Sequence, residues 1–136
     1  MFEGVNEIAV LGTTFLMMAV STVWYSQMLF GNAWMKAVGL TDEDVEKARP
    51  HLWKQMVVTF VSYAFLLLVL AHVVLYAPLL GLEALTVAIV IGFFLASFGV
   101  ASVVWEGRSL QYYAINVGFY FVFVVSGTLI LEYWPW

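Results

Sequence analysis

The sequence contains no cysteine and few charged residues. The absence of cysteine excludes disulfide bonds, thiolate metal sites and cysteine nucleophiles. Only 10% of the 136 residues are charged, whereas soluble domains run at about 25%. The chain also lacks a basic run or patch, so a nucleic-acid partner is not expected.

Apolar side chains are abundant instead, making up 64% of the chain and giving a mean hydropathy of +0.97. A small soluble domain buries only about two-thirds of its surface and could not hide so many of them. A bilayer removes this difficulty because it acts as the solvent for outward apolar faces. We therefore expect a single integral membrane domain over residues 1–136.

Four long apolar segments divide the chain: TM1 at 8–29, TM2 at 53–76, TM3 at 84–105 and TM4 at 109–133. TM1 has 22 residues without a charge. At about 1.5 Å per residue, that length crosses a hydrocarbon core of about 30 Å. TM1 lacks a basic leader and a small-residue cleavage site, so we expect it to be retained rather than removed as a signal peptide. The predicted fold is all-α, with four transmembrane helices in an up-and-down bundle.

The loop at 30–52 is predicted to contain a short amphipathic helix at the membrane surface. Thr41 can cap its first turn, with Asp44 three residues later standing in for the capping-box acid. Pro50 is expected to end this helix. The connection at 77–83 is short, so TM2 and TM3 are predicted to be antiparallel neighbours.

The stretch that closes TM1 is rich in aromatic residues. Trp and Tyr concentrate where hydrocarbon meets lipid headgroups, and the stretch fits such an interfacial belt followed by a turn. The alternative is that it forms a docking surface for another protein. The residues concerned are Trp24, Tyr25, Ser26, Phe30, Gly31 and Trp34.

Small and polar residues indicate where TM3 and TM4 make helix contacts. Ala88, Gly92 and Ala96 recur every four residues, a spacing that lets another backbone approach closely. We expect a packing seam within the chain, with a homodimer seam as the alternative. Asn116 must be hydrogen-bonded inside the bilayer, most simply to TM1 or TM2. Tyr120 shares its side of TM4, and Gly118 lies opposite.

The turn between TM3 and TM4 consists of Glu106, Gly107 and Arg108. Gly107 can take a positive φ there. We expect Glu106 and Arg108 to form a surface pair, with Arg108 reaching a lipid phosphate.

The distribution of basic residues predicts the orientation of the chain. All five lie in or beside the TM1–TM2 and TM3–TM4 loops, and none lies on the side of the termini and the TM2–TM3 turn. Since Lys and Arg mark the cytoplasmic side, we expect both of those loops in the cytoplasm and both termini outside. The basic residues are Lys36, Lys47, Arg49, Lys54 and Arg108, and the opposite side carries Glu3, Glu7, Glu83 and Glu132.

Two motifs resemble those of the DUF1761 family of small bacterial four-span membrane proteins. The first comprises Trp24, Tyr25, Ser26, Leu29, Phe30, Gly31, Trp34, Met35, Gly39, Leu40 and Thr41. The second comprises Glu106-Gly107-Arg108-Ser109 and Asn116-x-Gly118-x-Tyr120. The resemblance covers nearly the whole chain and implies the bacterial cytoplasmic (inner) membrane. It implies no mechanism, since the function of the family is not established.

Three functions remain open at this point. The first is an accessory or structural subunit that packs against other membrane proteins or against itself. The second is a transporter or channel for a small solute, acting as a homo-oligomer. The third is the binding of a pigment, quinone or lipid between helices, with His72 as a candidate ligand. A bound lipid is expected in any case, and no other cofactor is predicted.

An enzyme is not expected. Catalysis needs a nucleophile with a base, a metal cluster or a pair of carboxylates, and the apolar segments carry none of these patterns.

Overall fold

The computed structural model describes residues 4–135, and Glu3 and Trp136 lie outside that range. Within it the chain forms helices and turns and no strand. The α-helices are α1 (Glu7–Trp24), α2 (Gly31–Val38), α3 (Asp42–Ala48), α4 (Leu52–Tyr76), α5 (Ala84–Val104) and α6 (Leu110–Glu132).

Four of these helices, α1, α4, α5 and α6, are long and apolar enough to cross a membrane. The chain is therefore a multi-pass membrane protein with the all-α, four-span fold that the hydropathy pattern predicts. The bounds of α4, α5 and α6 fall within one residue of the predicted spans. Helix α1 ends at Trp24, five residues before the predicted end of TM1 at 29, because the backbone turns sharply there.

Polar side chains fix two helix starts. The Asn6 side chain accepts a hydrogen bond from the Ala9 N–H at 3.0 Å and caps α1. The Ser109 hydroxyl accepts one from the Tyr112 N–H at 3.1 Å and caps α6. Such caps satisfy backbone donors that lack a partner in the first turn of a helix.

The charged loop contains two short helices rather than one. Helix α3 begins with the expected capping box, in which the Asp44 N–H donates to Thr41 Oγ1 at 3.3 Å and the Thr41 N–H donates to Asp44 Oδ2 at 2.9 Å. The Thr41 hydroxyl and then the Thr41 N–H hold the pKa of the Asp44 carboxyl below its ordinary value of 3.8. Ion pairs Glu43–Lys47 and Glu46–Arg49 run along its exposed surface.

Pro50 does not separate the loop helix from the second span. It lies in a 3₁₀ turn, Arg49–His51, that leads directly into α4, so the backbone stays helical from Asp42 to Leu80. Proline is tolerated at the start of a helical turn, where its missing N–H would have no partner in any case.

Helix α6 is the centre of the bundle. It packs against α1, α4 and α5, whereas α5 makes few contacts with α4. The core therefore lies among three helices, and α5 stands beside it. The buried core comprises Ala9, Val10 and Met17 of α1, Leu67, Leu70 and Ala71 of α4, and Phe119, Phe123, Val124 and Leu131 of α6.

Helices α1 and α6 contact each other at both ends, and at each end a tryptophan ring packs on a glycine. The Trp24 ring covers Gly118, where an added Cβ would lie 3.2 Å from Trp24 Cζ2. At the opposite end, the Trp134 ring covers Gly12, where an added Cβ would lie 2.6 Å from Trp134 Cη2. A side chain at Gly12 would displace the Trp134 ring, and one at Gly118 would require the Trp24 ring to shift by a few tenths of an ångström.

The small-residue seam of α5 is buried within the chain. Ala84, Ala88, Gly92 and Ala96 are the buried residues of this helix. The Phe121 ring of α6 lies over Gly92, so α6 occupies this face of α5. The seam is therefore covered by a helix of the same chain.

Replacing Gly92 with valine is expected to lower the free energy of unfolding by about 1–3 kcal/mol, as overpacking commonly does. A Cβ at this position would meet Phe121 Cε1 at 2.8 Å. Valine is the better helix former, so a loss must come from packing. Thermal unfolding in detergent measures it, with exposed Ala101→Val as the matched control. An equal effect of both substitutions would contradict the packing of α5 on α6.

Candidate functional site

A compact turn ends α1 and sends the chain back toward α6. The Ser26 carbonyl accepts hydrogen bonds from the N–H groups of Leu29 at 3.1 Å and Gly31 at 2.8 Å, and the Phe30 N–H donates to the Trp24 carbonyl at 3.1 Å. A Cβ on Gly31 would lie 2.7 Å from the Ser26 carbonyl carbon. Only glycine fits this close approach of two backbone segments.

The turn brings the side chains of Trp24 and Tyr25 against α6. Trp24 Nε1 donates to the Ile115 carbonyl at 3.2 Å, and Tyr25 Oη donates to Asn116 Oδ1 at 2.9 Å. Asn116 Nδ2 in turn donates to the Tyr112 carbonyl at 2.8 Å. The amide of Asn116 is thus bonded at both ends, and its partner on the first span is Tyr25. These two rings therefore pack between α1 and α6.

Helix α2 extends this arrangement by packing on α6. The Trp34 ring stands edge-on to Tyr25, with 5.7 Å between centroids, and the Phe30 ring lies 4.6 Å from Trp24. We call Trp24, Tyr25, Phe30 and Trp34 the aromatic clasp. The Trp34 indole nitrogen is buried and has no hydrogen-bond partner among the described residues.

A cavity of about 430 Å³ lies beside the clasp, over the surface of α6. It exists because α4 and α5 both pack on α6 but little on each other. We call it the tyrosine cavity. Its lining residues are Tyr25, Ser62, Tyr63, Leu66, Leu95, Asn116, Phe119, Tyr120, Phe123 and Val124.

The walls of the tyrosine cavity combine aromatic surface with neutral polar groups. Phe119 forms its floor, with its ring centroid 5.4 Å from that of Tyr25 and 6.1 Å from that of Tyr63. No lining residue carries a formal charge. Three phenol hydroxyls, one serine hydroxyl and one amide line it, and of these the groups of Tyr25, Ser62, Tyr63 and Asn116 are hydrogen-bonded within the protein. Such a site suits a neutral, ring-bearing molecule with oxygen acceptors.

A second groove of about 310 Å³ runs between α5 and α6. It shares Leu95, Asn116 and Tyr120 with the tyrosine cavity, so these residues form the wall between the two. Tyr113 Oη donates to the Ala96 carbonyl at 3.2 Å and ties the two helices together inside it. We call it the α5/α6 groove. Its other lining residues are Phe94, Phe98, Gly99, Ser102, Tyr112, Tyr113 and Val117.

His72 is not part of either cavity. Its Nδ1 lies 2.7 Å from the Leu68 carbonyl, and its ring stacks on Tyr76 with 6.1 Å between centroids. It is nine residues from Tyr63 along α4, or about 13 Å of helix. Over residues 4–135, no three His, Asp or Glu side chains meet as a metal site.

The sequence singled out three residues of the tyrosine cavity, Tyr25, Asn116 and Tyr120, but missed Tyr63 and Phe119. Of these, only Tyr63 carried a signal, as a polar aromatic residue in the middle of an apolar span. The remaining sequence candidates lie elsewhere. Ala88, Gly92 and Ala96 pack α5, while Glu106, Gly107 and Arg108 form the α5–α6 turn, with Gly107 at φ +67°.

Comparison with known proteins gives one match. The family model described as "Protein of unknown function (DUF1761)" matches residues 8–132. No curated protein and no solved structure matches the chain. The match includes every residue of the clasp and of both cavities.

A double-mutant cycle measures the Tyr25–Asn116 hydrogen bond. Tyr25→Phe and Asn116→Leu are each expected to destabilise the protein, and the double variant is expected to lose less than the sum. The coupling should be about 0.6–1.5 kcal/mol, the range for a single hydrogen bond between helices. Unfolding by denaturant in detergent measures it, with exposed Tyr133→Phe as control. Additive losses would contradict a direct bond.

Proposed function

The chain belongs to the DUF1761 family, and from that premise we propose that it is a membrane protein that holds a lipid-soluble, ring-bearing molecule of the quinone class in the tyrosine cavity. The observation that carries this proposal is the cavity itself, which places neutral hydrogen-bond donors among aromatic walls. Ligand sites in proteins have this character, with volumes of about 300–1,000 Å³.

The chemistry of the lining favours a quinone over a metal-bearing pigment. Quinone carbonyls are acceptors that phenol hydroxyls can bond, and Tyr120 brings such a hydroxyl to the cavity, whereas the Tyr63 hydroxyl is hydrogen-bonded to Ser21 of α1. Tyr25 and the Asn116 amide are already bonded to protein groups, so they shape the wall. A metal-bearing pigment would need an axial ligand such as histidine, and His72 lies outside the cavity.

The position of the cavity supports entry from the bilayer. Its mouth lies between α4 and α5, where Ser62 is exposed on the outer surface of α4. Val58, one turn earlier on the same side of α4, is also exposed. A lipid-soluble molecule could therefore reach the cavity sideways without crossing water.

Quinone binding can be measured by quenching of tryptophan fluorescence, because the Trp24 ring lies 6.1 Å from Phe119 on the cavity floor. We expect saturable quenching by a short-chain quinone in detergent. Tyr120→Phe should raise the Kd about 2–10-fold, the loss of one hydrogen bond. Ser62→Phe should block the mouth and abolish saturation.

The matched control is Val58→Phe, which adds the same ring one turn away from the mouth and should leave the Kd unchanged. Equal Kd values for all variants, or quenching that rises linearly without saturation, would overturn the proposal.

The second candidate is an accessory subunit that packs against other membrane proteins or itself. Its support is the position of α5, which stands outside the core and presents a ridge of Phe94 and Phe98 with 4.9 Å between ring centroids. Native mass spectrometry after mild extraction tests it. Unrelated proteins bound in fixed ratio would favour this candidate, whereas a free monomer would count against it.

We also propose the bacterial cytoplasmic membrane as the location, with the α1–α4 loop and the α5–α6 turn in the cytoplasm. The support is the position of all five Lys and Arg at this end, which we call the basic end. The opposite end carries Glu7, Glu83 and Glu132.

Orientation can be read by cysteine labelling, because the native chain has no cysteine. A membrane-impermeant maleimide added to intact cells should label Leu82→Cys, in the α4–α5 connection, and leave Lys47→Cys unlabelled until the cells are opened. The reverse pattern would overturn the proposed orientation.

A further inference from the structure

The α5/α6 groove has the shape of a site for an extended apolar chain. Its lining runs along α5 from Ser102 to Phe94 and along α6 from Tyr112 to Tyr120. The two ends of each run are eight residues apart, or about 12 Å along the helix. Phe94 and Phe98 are 61% and 66% exposed, so the groove is open to the bilayer along its length.

The α5/α6 groove has one end near the basic end of the bundle, and the Arg108 side chain lies beside it. The Arg108 N–H donates to the carbonyl of Ser102 at 3.1 Å, which fixes the turn beside the groove. The Arg108 guanidinium lies over the ring of Tyr112, with Cζ 5.5 Å from its centroid. Ser102 and Tyr112 both line the groove, so the charge lies beside that end of it, although Arg108 is not itself a lining residue.

The guanidinium keeps most of its hydrogen-bonding capacity. Its nearest acid is Glu106, whose Oε2 lies 3.7 Å from Arg108 Nε, beyond hydrogen-bond distance. Both side chains are exposed, at 40% and 61%, so this pair is weak. Five N–H donors in a planar fork match the oxygens of a phosphate.

We propose that the α5/α6 groove binds one anionic phospholipid, with its phosphate on Arg108 and one acyl chain along Phe98 and Phe94. The occupant follows from the pairing of one cation with an open apolar channel, since an acyl chain fills the channel and a phosphodiester complements the cation. This site adjoins the tyrosine cavity at Leu95, Asn116 and Tyr120, but the proposal does not rest on the proposed quinone.

Lys54 provides a matched control for the charge. It also lies over an aromatic ring, that of Trp53 at 5.6 Å, but neither residue lines the groove. Lys54→Gln and Arg108→Gln therefore each remove one cation from the same end of the bundle, and only the second removes it from the groove.

The test is native mass spectrometry of protein released from nanodiscs of phosphatidylglycerol and phosphatidylcholine in equal amounts. The wild-type protein should retain one phosphatidylglycerol in preference to phosphatidylcholine. Arg108→Gln should lower that preference roughly tenfold, the effect of losing a charge-assisted hydrogen bond. Arg108→Lys should lower it less, and Lys54→Gln should leave it unchanged.

Ser102→Phe fills the groove without changing charge and should also release the lipid, while thermal unfolding shows whether the variant still folds. The quinone should quench the tryptophan fluorescence of Arg108→Gln with the same Kd as for the wild type. That result would show that the lipid test does not depend on the tyrosine cavity. Equal retention of both lipids, or equal losses in Lys54→Gln and Arg108→Gln, would overturn the proposal. If a folded Ser102→Phe variant retained as much phosphatidylglycerol as the wild type, the acyl chain would not lie in the α5/α6 groove.

Discussion

The hydrogen bond between Tyr25 and Asn116 is the constraint on which the rest of the structure depends. An amide within a membrane-spanning helix must be bonded, because lipid offers it no partner. For Tyr25 to reach α6, α1 must end at Trp24 and the chain must turn at once. The backbone bonds to Ser26 and the close approach at Gly31 make that turn possible, and the turn lays α2 on α6.

The same constraint explains why a cavity exists in so small a protein. Helix α6 is held by α1 on one side, through the rings on Gly118 and Gly12, and by α5 on another, through the seam at Gly92. Helix α4 also packs on α6. With α6 central, α4 and α5 diverge, and the gap between them is lined by the polar groups that surround Asn116.

The transmembrane spans and the helix cap at Thr41 could be predicted from the sequence. Uninterrupted apolar segments gave α4, α5 and α6 to within one residue, and the Thr41–Asp44 spacing gave a real capping box. The end of α1 was placed too late because Met28, Leu29 and Phe30 are apolar, and hydropathy does not register a turn made by backbone hydrogen bonds.

Contacts between residues far apart in the chain could not be predicted from the sequence. Trp24 and Trp134 have the composition of an interfacial belt, and only the α1–α6 pairing places them on glycines 94 and 122 residues away. The small-residue spacing in α5 indicated a contact face but not which helix fills it. The tyrosine cavity depends on how little α4 and α5 pack on each other, which no local pattern encodes.

The most direct test of this account is a set of nuclear Overhauser contacts measured by NMR on the protein in detergent micelles, with Tyr25, Trp34 and Phe119 selectively labelled. The account predicts contacts from the Tyr25 ring to both partners, since the centroid distances are 5.4 Å to Phe119 and 5.7 Å to Trp34. Contacts from Tyr25 and Trp34 to detergent alone, with none to Phe119, would show that α1 continues past Trp24 and would contradict it.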